Sequence, residues 1–196
     1  MPTVLQYYTL IYFILFVSYL FLKSLIFYLR FSINPFVFSN KKGLELFAWS
    51  TLFFTLGMYG FLLVLYFLGF EIGVVLPILQ KDSFTTLGII LTLTGFALMI
   101  LSHNTMGKSW RMGIDKTSQI ALVTSGIFAH SRNPVYLSLL IITLGFFFIL
   151  KTHFALFLFV LTFFCLRPIM RMEEHFLKEK FGDLYLSYRK GVRKFF

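Results

Sequence analysis

Long uncharged runs alternate along this chain with short clusters of charge. Val4–Leu22, Leu46–Phe70 and Ser83–Gly107 contain no Asp, Glu, Lys or Arg, and each has about the 17–25 residues that a helix needs to cross a bilayer. A fourth apolar stretch, Val135–Leu166, is interrupted only by Lys151 and His153. One straight helix of that length would overshoot the bilayer. The pattern therefore predicts a tight hairpin, Val135–Leu150 and Thr152–Leu166, turning at Lys151-Thr152-His153. Both arms are short for a span, and the turn has neither Gly nor Pro. The predicted fold is an all-α membrane protein of about five transmembrane helices with a helical C-terminal tail. It divides into N-terminal spans (1–102) and a second region (103–196) made of a loop, the hairpin and the tail.

Composition supports this class. Of 196 residues, 58% are hydrophobic, 28 are Phe and only 13% are charged, more apolar side chain than a small soluble domain can bury. One Cys excludes a disulfide framework and zinc sites built from several cysteines. The formal net charge of +10 would suit a nucleic-acid partner, but cytoplasmic loops of membrane proteins also collect Lys and Arg. With five spans the basic residues sort to one side. That face holds Arg30, Lys41, Lys42, Lys108, Arg111, Lys116, Arg132 and the eight from Arg167 to Lys194, whereas the other holds Lys81 and Lys151. Lys23 can snorkel from the first helix. The expected topology is N-terminus outside and C-terminus cytoplasmic, with no nucleic acid involved. No cationic stretch precedes the first apolar run, so a cleaved signal peptide is not expected.

Chemistry is then expected where the cytoplasmic loop (His103–Asn133) and tail (Arg167–Phe196) meet the membrane. No GxGxxG, GxxxxGK[ST], HExxH or GxSxG occurs, and the four His show no i,i+4 spacing. Cys165 lies in an apolar helix, where a free Cys acts as a small hydrophobe. Two segments stand out. One is Leu122-Val123-Thr124-Ser125-Gly126-Ile127-Phe128, continuing to Ser131-Arg132-Asn133-Pro134-Val135-Tyr136. Pro134 fits a first helical turn, and Asn133 or Ser131 fits its cap. That segment reads either as a capped helix start anchored by Arg132 or as an anion site built on free N–H groups. The other is the tail, where Arg167, Arg171 and Glu174 are helical neighbours and Ile169, Met172 and Phe176 share a stripe. Phe181-Gly182 reads as a helix stop, and Asp183 as the cap of a short helix bearing Leu184, Tyr185 and Tyr188. A lipid-binding amphipathic helix would explain much of the tail, but not the adjacent pair Glu173-Glu174 at a membrane exit.

Together, LVTSGIF…SRNPVY and R-x-EE-x-x-L-x-x-x-FG-x-x-Y-x-x-Y-x-x-x-V resemble the isoprenylcysteine carboxyl methyltransferase and phospholipid methyltransferase superfamily over about Met106 to Lys194. The resemblance implies an integral membrane enzyme that uses S-adenosyl-L-methionine on a lipophilic or lipidated acceptor. It assigns cofactor binding to Ile120, Ala121, Leu122, Val123, Phe128, Asn133, Pro134, Val135, Tyr136, Glu173 and Glu174. Arg171 falls where similar enzymes carry an arginine toward the acceptor; with Arg132 and Asn133 it completes the expected catalytic set.

Two positions depart from the family pattern: Asn133 stands in place of its usual His, and Phe128 in place of its usual Tyr. Asn keeps a donor and an acceptor but cannot take up a proton near neutral pH. A carboxylate acceptor needs no base, and Arg171 or Arg132 could hold it. An amine must first lose a proton, with His130, His175 or a Glu as the candidate bases. The residues thus favour a prenylcysteine-like carboxylate, with a phospholipid amine as the alternative. An NADPH-dependent sterol-reductase-like enzyme and a non-catalytic lipid-docking protein are the other readings.

Overall fold

The computed structural model describes residues 2–36, 43–70, 72–111, 113 and 120–195. Lys41, Lys42, Lys116 and Phe196, which entered the charge and tail assignments, lie outside the described residues. Six α-helices are present among those described: α1 (Val4–Phe31), α2 (Gly43–Phe67), α3 (Asp82–Met106), α4 (Pro134–Leu150), α5 (His153–Phe181) and α6 (Asp183–Gly191). Four of them, α1, α2, α3 and α5, are long and apolar enough to cross a membrane. The fifth expected span, α4, has 17 residues, at the lower end of spanning length.

The helices outrun the apolar runs, because a charge ends a hydrophobic stretch but not a backbone ladder. α1 starts with a capping box between Thr3 and Gln6 and continues past Leu22. Lys23 stays on the helix and donates to Asn104 Oδ1 at 3.0 Å. The expected break between span and tail at Arg167 is likewise absent. α5 runs unbroken for 29 residues through Pro168, where the missing N–H removes a single ladder bond.

The hairpin between α4 and α5 turns without glycine. Lys151 takes the left-handed conformation itself (φ 57°), and its N–H bonds the Phe147 carbonyl at 2.7 Å. The loop before α3 clasps this turn. Leu76 N–H donates to the Lys151 carbonyl at 2.8 Å, and Val75 forms an isolated antiparallel bridge with Thr152. Thr152 caps α5 rather than beginning it, accepting from Ala155 N at 3.2 Å.

The core is tightest between α3 and α4, which approach through small residues. A Cβ on Gly145 would lie 2.7 Å from Thr92 Cγ2 and 2.8 Å from the Gly88 carbonyl oxygen. Membrane helices use such positions to bring backbones together. The buried stripe of α3 runs Gly88, Thr92, Gly95, Met99, Ser102 and His103, so the same periodicity that docks the helix also turns His103 inward. Tyrosines tie the outer helices on: Tyr12 Oη donates to the Thr92 carbonyl at 2.8 Å and Tyr59 Oη to the Ala155 carbonyl at 3.1 Å.

Candidate active site

Two adjacent carboxylates on α5 face different partners, because successive helical residues are about 100° apart. Glu173 receives a hydrogen bond from the Tyr136 hydroxyl of α4. Glu174 Oε1 receives Arg132 Nη2 at 3.3 Å and Asn133 Nδ2 at 3.3 Å. Arg132 and Asn133 stand immediately before α4, whose Pro134 occupies the first turn as expected. The capping expectation fails, however. Asn133 holds the cap position without a side-chain bond to its own helix, because its amide is spent on Glu174 and on the Lys194 carbonyl at 3.3 Å. Ser131 Oγ accepts from Asn133 N at 3.3 Å instead.

Arg132 also ties down the chain's end. Its Nη1 donates to the carbonyls of Arg189, at 3.1 Å, and Val192, while its backbone N–H donates to the Arg193 carbonyl at 3.0 Å. Gly182, at φ 51°, turns the chain from α5 into α6. It takes the cap position predicted for Asp183, which is the first residue of α6. From α6, Tyr188 Oη donates to the Phe128 carbonyl at 2.6 Å. Tyr185 is buried, and its hydroxyl pKa is pushed up to about 12 by burial and then by the Glu174 charge, with Arg132 and Arg189 pulling the other way. Burial also pushes Tyr188 up to about 12 and lowers the Lys194 ammonium.

Two cavities meet at this network. The more polar one, of about 110 Å³, is lined by Ile120, Ala121, Leu122 and Val123 of the loop, by Glu174 of α5 and by Tyr185 and Tyr188 of α6. The loop wall is held by Ser109 Oγ, which donates to the Ala121 carbonyl at 3.1 Å and accepts from Ala121 N at 3.2 Å. The other cavity, of about 140 Å³, is apolar over most of its wall. Leu20, Trp49, Leu52, Leu56 and Met99 of the first three helices line it, together with His103, Trp110 and Arg111. Met106, Phe128, Arg132, Asn133 and Glu173 belong to both walls.

The sequence profile of the phospholipid methyltransferase family matches residues 84–184, from the start of α3 to the start of α6. The chain belongs to this family of membrane methyltransferases. No curated protein matches the chain.

Set against this membership, the expected site residues fall into three groups. Ile120 through Val123, Phe128, Asn133, Glu173 and Glu174 line the polar cavity, whereas Pro134, Val135 and Tyr136 face only the apolar one. Arg171 is exposed and lines neither; it precedes Glu173 by two positions and so lies about 200° round the helix. Glu174 pairs with Arg132 rather than with the Arg171 expected at i−3. His103, Trp110 and Arg111 were not legible as site residues. They are brought in by the buried stripe of α3 and the turn after it, and only an inward-facing His at the end of that stripe hinted at this.

Proposed function

We propose that this phospholipid methyltransferase family member carries a methyl group from S-adenosyl-L-methionine to a lipid, and that the two cavities divide the reactants. The observation that carries this reading is the shared wall: a polar chamber and an apolar chamber separated by Phe128, Asn133 and Glu173. The polar chamber has the donor set that a zwitterionic, hydroxyl-bearing cofactor needs. Glu173 and Glu174 could accept from ammonium or ribose hydroxyls, Asn133 offers both a donor and an acceptor, and the apolar Ile120–Val123 segment would hold the adenine. The cofactor, when bound, supplies an electrophilic methyl on a positively charged sulfur. The protein's own work is positioning and electrostatics. Tyr136 fixes the Glu173 carboxylate, Arg132 and Asn133 fix Glu174, and α6 closes the polar chamber.

A phospholipid amine is the acceptor this arrangement favours. Arg171 lines neither cavity, and the Arg132 guanidinium is engaged by Glu174 and two carbonyls, so neither is positioned to hold a carboxylate. Arg111 lies on the apolar cavity's wall, where a guanidinium suits a lipid phosphate. It would suit a prenylcysteine carboxylate equally, and that is the second reading. A basic loop and tail suit a cytoplasmic C-terminus and a polar chamber open to the cytoplasm, by the positive-inside rule.

The test incubates membranes bearing the wild type or Glu173→Ala with methyl-labelled S-adenosylmethionine, then treats lipid and protein fractions with base. Base-stable label in the lipid fraction, absent from the variant, is the expected result. Label escaping as methanol would establish the carboxyl ester instead. Equal label in both membranes would overturn the methyltransferase reading.

A further inference from the structure

The apolar cavity contains few groups able to take a proton. Along its wall the Arg111 and Arg132 guanidinium groups have donors and no acceptor, Tyr136 is a donor committed to Glu173, and Asn133 is no base. His103 and Glu173 remain. Glu173 already accepts the Tyr136 hydroxyl and also borders the polar chamber. His103 is built differently. It is 2% exposed, with Nδ1 3.1 Å from the Tyr19 hydroxyl. Its ring lies parallel to that of Tyr19, with centroids 5.8 Å apart, and 5.1 Å from the ring of Trp110. Three contacts thus fix the plane and one nitrogen, and Nε2 is the nitrogen left for a guest in the cavity. The other histidines are exposed at the surface: His175 pairs with Glu179 at 3.1 Å, His153 lies beside the Val74 carbonyl at the opposite end, and His130 is exposed.

We propose that His103 is the proton acceptor that prepares a protonated nitrogen on the acceptor lipid for methylation, with Tyr19 holding its ring. This rests on the methyltransferase reading above and adds the residue that a nitrogen acceptor requires. The ammonium of the lipid headgroup gives one proton to Nε2, and the pair of that N–H bond becomes the nitrogen lone pair. The lone pair forms the new bond to the methyl carbon as the C–S pair of the sulfonium donor departs to sulfur. The methylated nitrogen keeps the positive charge, and the imidazolium returns its proton to water. One proton, one methyl and one positive charge on sulfur are thereby accounted for. The groups facing the imidazole are Tyr19 and Lys23 from α1, Trp110 and Arg111 from the turn after α3, and, around the same cavity, Arg132, Tyr136 and Glu173.

The experiment uses the full chain in detergent, short-chain phosphatidylethanolamine and methyl-labelled S-adenosylmethionine. Cofactor affinity is measured separately by calorimetry. His103→Gln is expected to bind the cofactor as the wild type does but to methylate the amine about 100-fold more slowly at pH 7, the scale of general-base catalysis. That deficit should shrink as pH approaches about 10, where a primary ammonium loses its proton unaided. Tyr19→Phe should show a smaller deficit of the same pH form, and imidazole should partly restore His103→Ala. Equal rates for wild type and His103→Gln at pH 7 would overturn the role. So would a deficit constant across pH, or a His103→Ala variant that imidazole leaves inactive. A wild type that methylates a farnesylcysteine carboxylate and not the amine would overturn it too, because that acceptor brings no proton. A wild type that neither binds nor uses the cofactor would overturn the methyltransferase reading itself.

Discussion

At the entrance to α4, Asn133 stands where a capping side chain was expected, yet its amide bridges Glu174 and the Lys194 carbonyl. Removing it takes one donor from each of two acceptors, leaving Glu174 with Arg132 and the Lys194 carbonyl with Ser131 Oγ. Asn133→Ala should therefore lower stability by about 1–3 kcal/mol, the scale of a lost hydrogen bond to a charged group, read as an earlier thermal unfolding in detergent. Asn133→His restores at most one of the two bonds at a time and should recover part of the loss. Tyr185 and Tyr188 make a second residue-level prediction. Both hydroxyls are pushed up to about 12 in the folded protein, above the ordinary value near 10. The folded state therefore holds protons that the unfolded chain releases, so the stabilisation is complete below about pH 10 and is lost as pH rises through 12. Unfolding midpoints followed from pH 9 to 12 should fall, and the Tyr185→Phe/Tyr188→Phe double variant should flatten part of that fall. At this scale the sequence named the Glu173-Glu174 pair and the Arg132-Asn133 step from their motifs. It paired Glu174 with Arg171 at i−3, whereas the folded chain pairs it with Arg132. A contact across 42 residues is set by how α5 is rotated against the loop.

Helix boundaries were legible where composition and capping agree and illegible where only charge marked them. The ends of α3 and α4 match the apolar runs within a residue. The tail was read as a separate element after Arg167, although Pro168 and Arg171 are carried on one continuous α5; the guanidinium of Arg167 lies 4.5 Å above the Phe163 ring, which lets a charge follow an apolar turn without breaking it. The close approach of α3 and α4 leaves no room for a side chain at Gly145. Gly145→Leu should push the two helices apart and lower stability by about 1–3 kcal/mol or more, as overpacking does, and should reduce the yield of folded protein from membranes. Because α3 carries His103 and α4 begins beside Asn133, cofactor and acceptor binding should weaken together in that variant. A conservative change on the exposed face of α1, such as Ile14→Leu, should alter neither.

Seen whole, the molecule sets an apolar chamber among α1 to α4 against a more polar one closed by α6. Truncation after Phe181 removes Tyr185, Tyr188 and the carbonyls that hold Arg132. The truncated chain should still insert into membranes but lose S-adenosylmethionine binding, measured by calorimetry on purified protein. Sidedness has its own test. Cys165 is buried, so single cysteines introduced at Ser187 and at Lys151 should react with an impermeant maleimide from opposite sides of the membrane, Ser187→Cys only after permeabilisation.

The sequence by itself determined the class of the protein, its first three spans, the hairpin and the pair of motifs, because each of these is a local property: length and polarity of a run, or residues a few positions apart. Tertiary structure alone decided that the cavities share a wall, that the C-terminal carbonyls anchor Arg132, and that His103 and Arg111 face the chamber while Arg171 does not. Those facts depend on the rotation of each helix about its axis. Runs apolar on nearly every side carry little record of that rotation, and it is fixed only when small residues and long-range hydrogen bonds lock one helix against another.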